Sequence, residues 1–489
     1  MMFKKTAIWA LLLAGVTVLA SCGGDKNNGS GTTAATAPNR DSDTVESEES
    51  LDLPDVQFDS DIRIFLKNGD YASEVKPEED DSVVSAAVFS RNSVIEETYN
   101  VTLLFTQSLL EYNTDALNVL QSGTDVYDFM QCHGRAAYVY AGLGLAMDWN
   151  EFRYISLDKP WWNSSAREAL TIAGKLPAMT GELGYSTIGG GIGMVFNKSL
   201  FNAKDYTPEY FFDMVDEGTW TFDTFYNLVT DMKNDLNGDG VIDFQNDQLG
   251  YGTSQWGGPI QLIYMTGSKV ITNNDDGVPE FSFYNDKTID IYERYFKLIR
   301  SDGAYCELSD KGENVQAAWS TGRVAFMQTS MENLGSAYFL DSSVNFGLIP
   351  LPKYDKEVSK YYSGVDASST LFVIPATVPA ESHEMIGVVL EAMAYYGREY
   401  IIPAYYNKTL ASRYVKDPDS YRMLDYIYDG CCYDLGYYNS DEFGGKFASI
   451  GYMLARNAEM TFTSYYRENF EAAREKLQAS YLKYAGEEL

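Results

Sequence analysis

Residues 61–66 read DIRIFL, 101–105 read VTLLF and 126–130 read VYDFM, three short apolar runs separated by two longer segments of a different period. Ile62, Ile64 and Leu66 recur at every second position, the spacing of a strand. Between the first two runs, Val83, Val84, Val88, Val94, Ile95 and Tyr99 fall at helical spacing, and Leu110 to Leu120 repeats that pattern before the third run. Strand, helix, strand, helix, strand is the order of a parallel layer with right-handed crossovers, so the chain is expected to be α/β. Ligands of open parallel sheets sit beyond the carboxyl ends of the strands, which places Gln131, Cys132, His133, Gly134 and Arg135 at a sheet mouth. His133 there reads equally as a ligand contact and as a hydrogen-bonded loop histidine.

Toward the amino terminus, Lys4 and Lys5 precede the apolar run Ile8 to Ala20, and small residues lead into Ser21-Cys22-Gly23. This is the pattern of an export leader, residues 1–21, cut before a cysteine that is then lipidated. The run is shorter than the roughly 20 apolar residues a membrane span requires. Residues 22–57 are rich in Gly, Asn, Ser, Thr, Asp and Glu and read as a disordered linker, tethering the body to the outer face of the cell membrane. A coil of that length spans roughly 30 to 35 Å.

The remaining 430 or so residues exceed one hydrophobic core and suggest two lobes. The formal charge of −33 grows more negative once the leader's lysines are lost, which argues against nucleic acid as a partner. The 38 tyrosines supply apolar faces with polar tips, suited to neutral hydroxylated rings. Beyond the anchor, Cys132, Cys306, Cys431 and Cys432 show no CxxC metal signature and no spacing that favours a pairing.

Two glycine-rich features compete for a functional reading. Gly189, Gly190, Gly191 and Gly193 interrupt a strand-like run ending at Asn197; none of these glycines is followed directly by Lys-Ser or Lys-Thr, so a flexible crossing between lobes fits better than a phosphate loop. After an amphipathic helix over 221–234, Asp235, Asn237, Asp239, the backbone of Val241, Asp243 and Asp247 present the oxygens of a calcium loop with Gly240 at its turn. Asn246 stands at the position where a bidentate Glu is usual, so a structural Ca2+ and a solvated acidic turn are both open.

The lipobox, the acidic stalk, the region Asp125 to Trp149, Lys159-Pro-Trp-Trp-Asn163, the Asp235 to Gly240 loop, Gly322-Arg-Val-Ala-Phe326 and Pro403-Ala-Tyr-Tyr-Asn407 together resemble the family 1 extracellular solute-binding proteins of carbohydrate ABC transporters. The resemblance covers nearly all of the chain beyond the leader. It implies a two-lobed, type II periplasmic-binding-protein-like fold, each lobe a mostly parallel sheet flanked by helices. Residues 58–192 and 323–369 would form lobe 1, and 193–322 and 370–489 lobe 2. Crossings would fall near 190–194, 322–327 and 370–374, the last leading to closing helices of lobe 2.

The same resemblance implies a sugar or oligosaccharide ligand, ABC permease subunits as partners, a monomer, and no covalent chemistry. Positions matching the family's binding regions are Gln131, His133, Arg135, Glu182, Tyr185 and Trp256, with Asp366, Tyr405 and Tyr406 as weaker candidates. Trp256, beside Gly257 and Gly258, is the strongest of these because a loop tryptophan offers a stacking face. Trp161 and Trp162, at a helix entrance, read as packing residues instead. A surface glycoside hydrolase with two acidic groups, or a glycan-binding adhesin, are the alternatives; neither a serine nucleophile elbow nor a zinc HExxH motif is present.

Overall fold

The computed structural model of the chain describes residues 50–69, 71–78, 81–255, 257–308, 313–415 and 417–486. The leader, Cys22, the linker through residue 49, and Trp256 lie outside the described residues. In chain order the strands are β1 (Ser60–Leu66), β2 (Val101–Gln107), β3 (Phe129–His133), β4 (Ile192–Asn197), β5 (Leu249–Ser254), β6 (Ile271–Asn273), β7 (Pro279–Phe281), β8 (Ala304–Glu307), β9 (Val324–Ser330), β10 (Phe346–Pro350), β11 (Ser363–Gly364), β12 (Thr370–Val373) and β13 (Cys431–Cys432).

Two sheets organise the body, and both belong to one compact unit. The first runs β2-β1-β3-β12, with β1 parallel to β2 and β3 and with β12 antiparallel to β3. The second runs β8-β5-β9-β4-β10, with β8, β5 and β9 parallel and β4 antiparallel to both neighbours. In each sheet the antiparallel member is the first strand laid down after the chain arrives from the other lobe. The expected strand, helix, strand, helix, strand order is thus realised, with helices Val83–Tyr99 and Thr114–Gln121 as the crossovers. The third strand starts three residues later than its apolar run because Asp128 is spent on Arg63: its carboxylate accepts from the Arg63 backbone N–H at 2.6 Å and from Nε at 3.1 Å.

Strand pairing corrects the lobe boundaries expected from sequence. β9 and β10 lie within 323–369, yet they pair in the second sheet, and β12 opens the 370–489 segment, yet it pairs with β3 in the first. The return crossing therefore falls between Pro350 and Thr370 rather than at 322–327, and 370–374 is a strand of lobe 1 rather than a crossing. Short apolar strands carry no mark of which sheet they join; hydrogen-bond partners decide it. Helix His383–Pro403 packs on helix Val83–Tyr99 of the first lobe, while helix Pro418–Gly430 packs on β10 of the second, so the third crossing is the π-helical stretch Ala404–Tyr414 between them. The closing helix Phe462–Ala485 lies against β7 and helix Asp286–Ile299 in the second lobe, and Phe470, Ala473 and Leu477 are buried on one face as their spacing requires.

The first crossing is packed rather than flexible. A Cβ on Gly190 would sit 1.9 Å from Ser369 Oγ, and one on Gly193 would sit 2.8 Å from Ile427 Cδ1, so these glycines allow close approach of neighbouring chain segments. Every residue of β4 is buried. Crossing and return are tied by the Asp366 N–H, which donates to the Gly190 carbonyl at 3.1 Å, and β11 in the return pairs in turn with β13.

Candidate binding cleft

The carboxyl ends of the first sheet are closed by the chain itself. Gln131 has no exposed surface; its amide donates to the Tyr71 carbonyl at 2.8 Å and to Glu74 Oε1 at 3.1 Å. Glu74, equally buried, also accepts from the Ser186 N–H at 2.9 Å and from the Thr370 hydroxyl. Its charge faces Arg91, a buried guanidinium whose pKa burial pushes down to about 9 and which donates to the Leu183 carbonyl at 2.6 Å. This knot fastens the loop after β1 to the crossing, so Gln131 is a structural residue and not a ligand contact.

His133 caps helix Gly134–Gly142, its Nδ1 accepting from the Arg135 N–H at 3.2 Å, and its ring lies 4.4 Å from that of Tyr112. Burial, reinforced by the charges of Lys67 and Arg135, holds its pKa down at about 3, so the imidazole stays neutral. The Arg135 guanidinium is taken by Asp441. Glu182 pairs with Arg398 at 3.1 Å, joining its loop to helix His383–Pro403. Tyr406 donates to Asp425 at 2.5 Å. None of Gln131, His133, Arg135, Glu182 and Tyr406 lines either of the cavities described below.

The second sheet ends differently. Beyond β5 and β9 a cavity of about 520 Å³ is lined by Ser254, Gln316, Gln328, Thr329, Ser330, Glu332 and Asn333 from the second lobe and by Ile192, Asp366 and Ser368 from the crossings. Its volume lies within the range of small-molecule sites. Strand geometry fixes the lining: Asn333 Nδ2 donates to Thr329 Oγ1 at 3.1 Å, the Tyr251 hydroxyl donates to Gln328 Oε1 at 3.4 Å, and Asp366 Oδ1 accepts from the Ser368 N–H at 2.8 Å. A second cavity of about 510 Å³ shares Glu332 with the first and lies between the lobes. Its walls include Ser73 and the amino terminus of helix Val83–Tyr99 from the first lobe, Glu332 and Gly335 from the second, and Tyr405, Lys408 and Tyr414 from the π-helical crossing. Tyr185 and Tyr405 stack there at 4.2 Å and 20°, and the Tyr185 hydroxyl shares a hydrogen bond with Ser73 at 3.1 Å. The structure therefore brings Tyr185, Tyr405 and Asp366 to the cleft.

Amides, hydroxyls and carboxylates at half-buried positions can replace the water lost by a polyhydroxylated ligand, while tyrosine rings offer apolar faces. Sequence alone does not single out Gln328, Asn333, Ser254 and Glu332. A signal is present in the polar run Gln328-Thr-Ser-Met-Glu-Asn333 that ends the apolar β9, but it carries meaning only once β9 is assigned to a parallel sheet whose carboxyl end opens on the cleft.

In the acidic loop the carboxylates accept from the loop's own backbone. Asp235 accepts from the Gly238 and Gly240 N–H groups at 2.7 and 2.8 Å, Asp239 from Val241 at 2.8 Å, and Asp247 from Leu236 at 2.8 Å and Asp243 at 3.0 Å. The side chains thus serve the loop's own amides, and among the described residues no group of three or more His, Cys, Asp or Glu converges as a ligand set. Trp161 and Trp162 are buried, and both indole N–H groups donate to Glu391, at 3.0 and 2.8 Å.

The strand orders, two lobes and three crossings define a type II periplasmic-binding-protein fold, and solved structures share it. The chain superposes on the GacH receptor of Streptomyces glaucescens GLA.O, solved unliganded and with acarbose, at TM-score 0.56 and 13% identity, covering 86% of this chain and 99% of that one. It superposes on UspC of M. tuberculosis at TM-score 0.53 and 15% identity, covering 85% and 100%. It superposes on the ABC substrate-binding protein Lmo0181 of Listeria monocytogenes, solved with cycloalternan, at TM-score 0.51 and 11% identity, covering 88% and 100%. No family model and no curated protein matches the sequence.

Proposed function

We propose that this chain is a lipid-anchored, extracytoplasmic solute-binding protein that captures a sugar or oligosaccharide between its lobes and delivers it unaltered to an ABC transporter permease. The observation that carries the reading is the pair of cavities meeting at Glu332, lined by hydroxyls, amides, carboxylates and a stacked tyrosine pair from both lobes and the crossings. Two structures of the same fold, GacH and Lmo0181, hold acarbose and cycloalternan respectively, which supports a saccharide as the ligand class. Three crossings permit the lobes to hinge, and a ligand touching both favours the closed arrangement.

The test is a thermal-shift screen of the purified protein against linear and branched oligosaccharides, with chromatography of each mixture. A shift without shortened products supports capture. Shortened products would favour a hydrolase, and no shift with any sugar would favour an adhesin or a different solute. Anchoring is tested separately: Cys22→Ala is expected to move the protein from the membrane fraction to the soluble one. Among the described residues no helix is long and apolar enough to cross a membrane.

A further inference from the structure

We infer that Asp441 is a clasp residue, carried on a strap of the second lobe, that latches onto the sheet mouth of the first lobe and holds the lobes together independently of ligand. The strap is rooted in the second lobe at both ends. At its start, Asp434 accepts from the Val270 and Ile271 N–H groups, at 2.5 and 3.3 Å. At its far end, Phe443 and Phe447 pack edge-on against Phe281 and Phe283 of the β7 region, with ring centres 5.6 and 5.8 Å apart.

Between these roots the strap reaches the first lobe. Asp441 Oδ1 accepts from Arg135 Nη2 and Oδ2 accepts from the Tyr112 hydroxyl at 2.5 Å, while the Arg135 guanidinium lies 5.4 Å from the centre of the Tyr112 ring. Tyr438 covers Gly134 so closely that a Cβ there would meet its ring at 2.4 Å. The presenting loop is itself held in an unfavourable backbone: Tyr112 and Asn113, neither of them glycine, have φ of 62° and 56°. Such strain persists where surroundings over-determine it, and here it delivers the Tyr112 hydroxyl to the carboxylate. Asn113 is fixed in turn by the His133 N–H, which donates to its Oδ1 at 2.8 Å.

The consequence is mechanical. A carboxylate bridging a guanidinium and a phenol makes charge-assisted hydrogen bonds, and both charged side chains keep access to solvent, at 23% and 31% exposure. The clasp is thus strong enough to bias closure yet open to competition by water and salt. It also accounts for the absence of His133 and Arg135, at the end of β3, from the lining of either cavity.

The experiment measures the distance between spin labels on exposed surface positions of the two lobes, Phe89→Cys and Tyr210→Cys, in the full chain without sugar. The unaltered clasp is expected to give one short, narrow distribution, and Asp441→Asn a longer and broader one. Tyr112→Phe, which keeps the ring and removes only the hydroxyl, should give an intermediate result, and raised salt should broaden the unaltered protein toward Asp441→Asn. Exchanging the charges in Arg135→Asp with Asp441→Arg should narrow the distribution again, an outcome that a misfolded strap would not produce. Unchanged distributions in Asp441→Asn and Tyr112→Phe overturn the inference, as does an exchange variant that stays broad. The measurement contains no ligand, so its failure leaves the proposed sugar capture standing, and failure of sugar capture leaves the clasp standing.

Discussion

The two sheet mouths share a topology and differ in what lies beyond them. β1 and β3 end on side chains already spoken for: Gln131 in the Glu74 knot, His133 against Tyr112, and Arg135 on Asp441. β5 and β9 end on Ser254, Gln328, Ser330 and Asn333, which line open volume. The general rule that ligands sit at the carboxyl ends of parallel strands names a place, and the occupancy of that place is decided by segments far away in sequence. Here the deciding segment is the strap around Asp441, about 300 residues beyond β3.

The largest effect is expected where the closed mouth is tied together. Glu74→Ala removes the acceptor of Gln131, Thr370 and the Ser186 N–H, and each buried donor left unsatisfied costs about 1 to 3 kcal/mol. Urea unfolding of the variant measures it, and an unchanged midpoint would mean the first mouth is not held by this knot.

Next in size is the strap's anchor. Burial raises the Asp434 pKa from 3.8 to about 6. A carboxyl whose pKa is raised on folding contributes stability that is full below its unfolded value and is lost as pH rises through the folded value. The unaltered protein should therefore lose roughly 3 kcal/mol from this group between about pH 4 and pH 6, since each tenfold gain in proton affinity on folding is worth about 1.4 kcal/mol. That part of the pH slope should be absent from Asp434→Asn, and identical slopes in the two proteins would refute the assignment.

The open mouth gives intermediate effects, on binding rather than folding. Gln328→Ala and Asn333→Ala are each expected to weaken sugar binding by about 1 to 2 kcal/mol, the scale of a lost hydrogen bond in a desolvated site, with little change in the melting temperature of the empty protein. The smallest effect belongs to His133→Ala, which should alter sugar affinity by less than about 0.5 kcal/mol because its ring faces Tyr112. A large loss of affinity there would reverse the comparison between the two mouths.

Much of the fold was legible because it rests on local periodicity. β1, β2, helix Val83–Tyr99 and the buried face of the last helix follow from the spacing of Ile62, Ile64, Val88, Ile95, Phe470 and Leu477. Lobe membership of β9, β10 and β12 was not, because pairing between strands over a hundred residues apart leaves no local trace in either strand. The site divided along the same line. Tyr185, Tyr405 and Asp366 line the cavities of the cleft, and the family resemblance named all three, although the crossings that carry Asp366 and Tyr405 fall where local sequence did not place them. His133 and Arg135 fall at the end of β3 as expected, whereas Gln131 lies inside the strand, and nothing near them in sequence announces Asp441 or Glu74.

The most direct test of the account is calorimetric titration of the best-binding oligosaccharide into the unaltered protein and into Gln328→Ala, with the sugar recovered afterwards and sized. The account predicts stoichiometric binding, about a tenfold loss of affinity in the variant, and recovery of the sugar at its original length. Equal affinities in the two proteins, or recovery of shortened sugar, would contradict it.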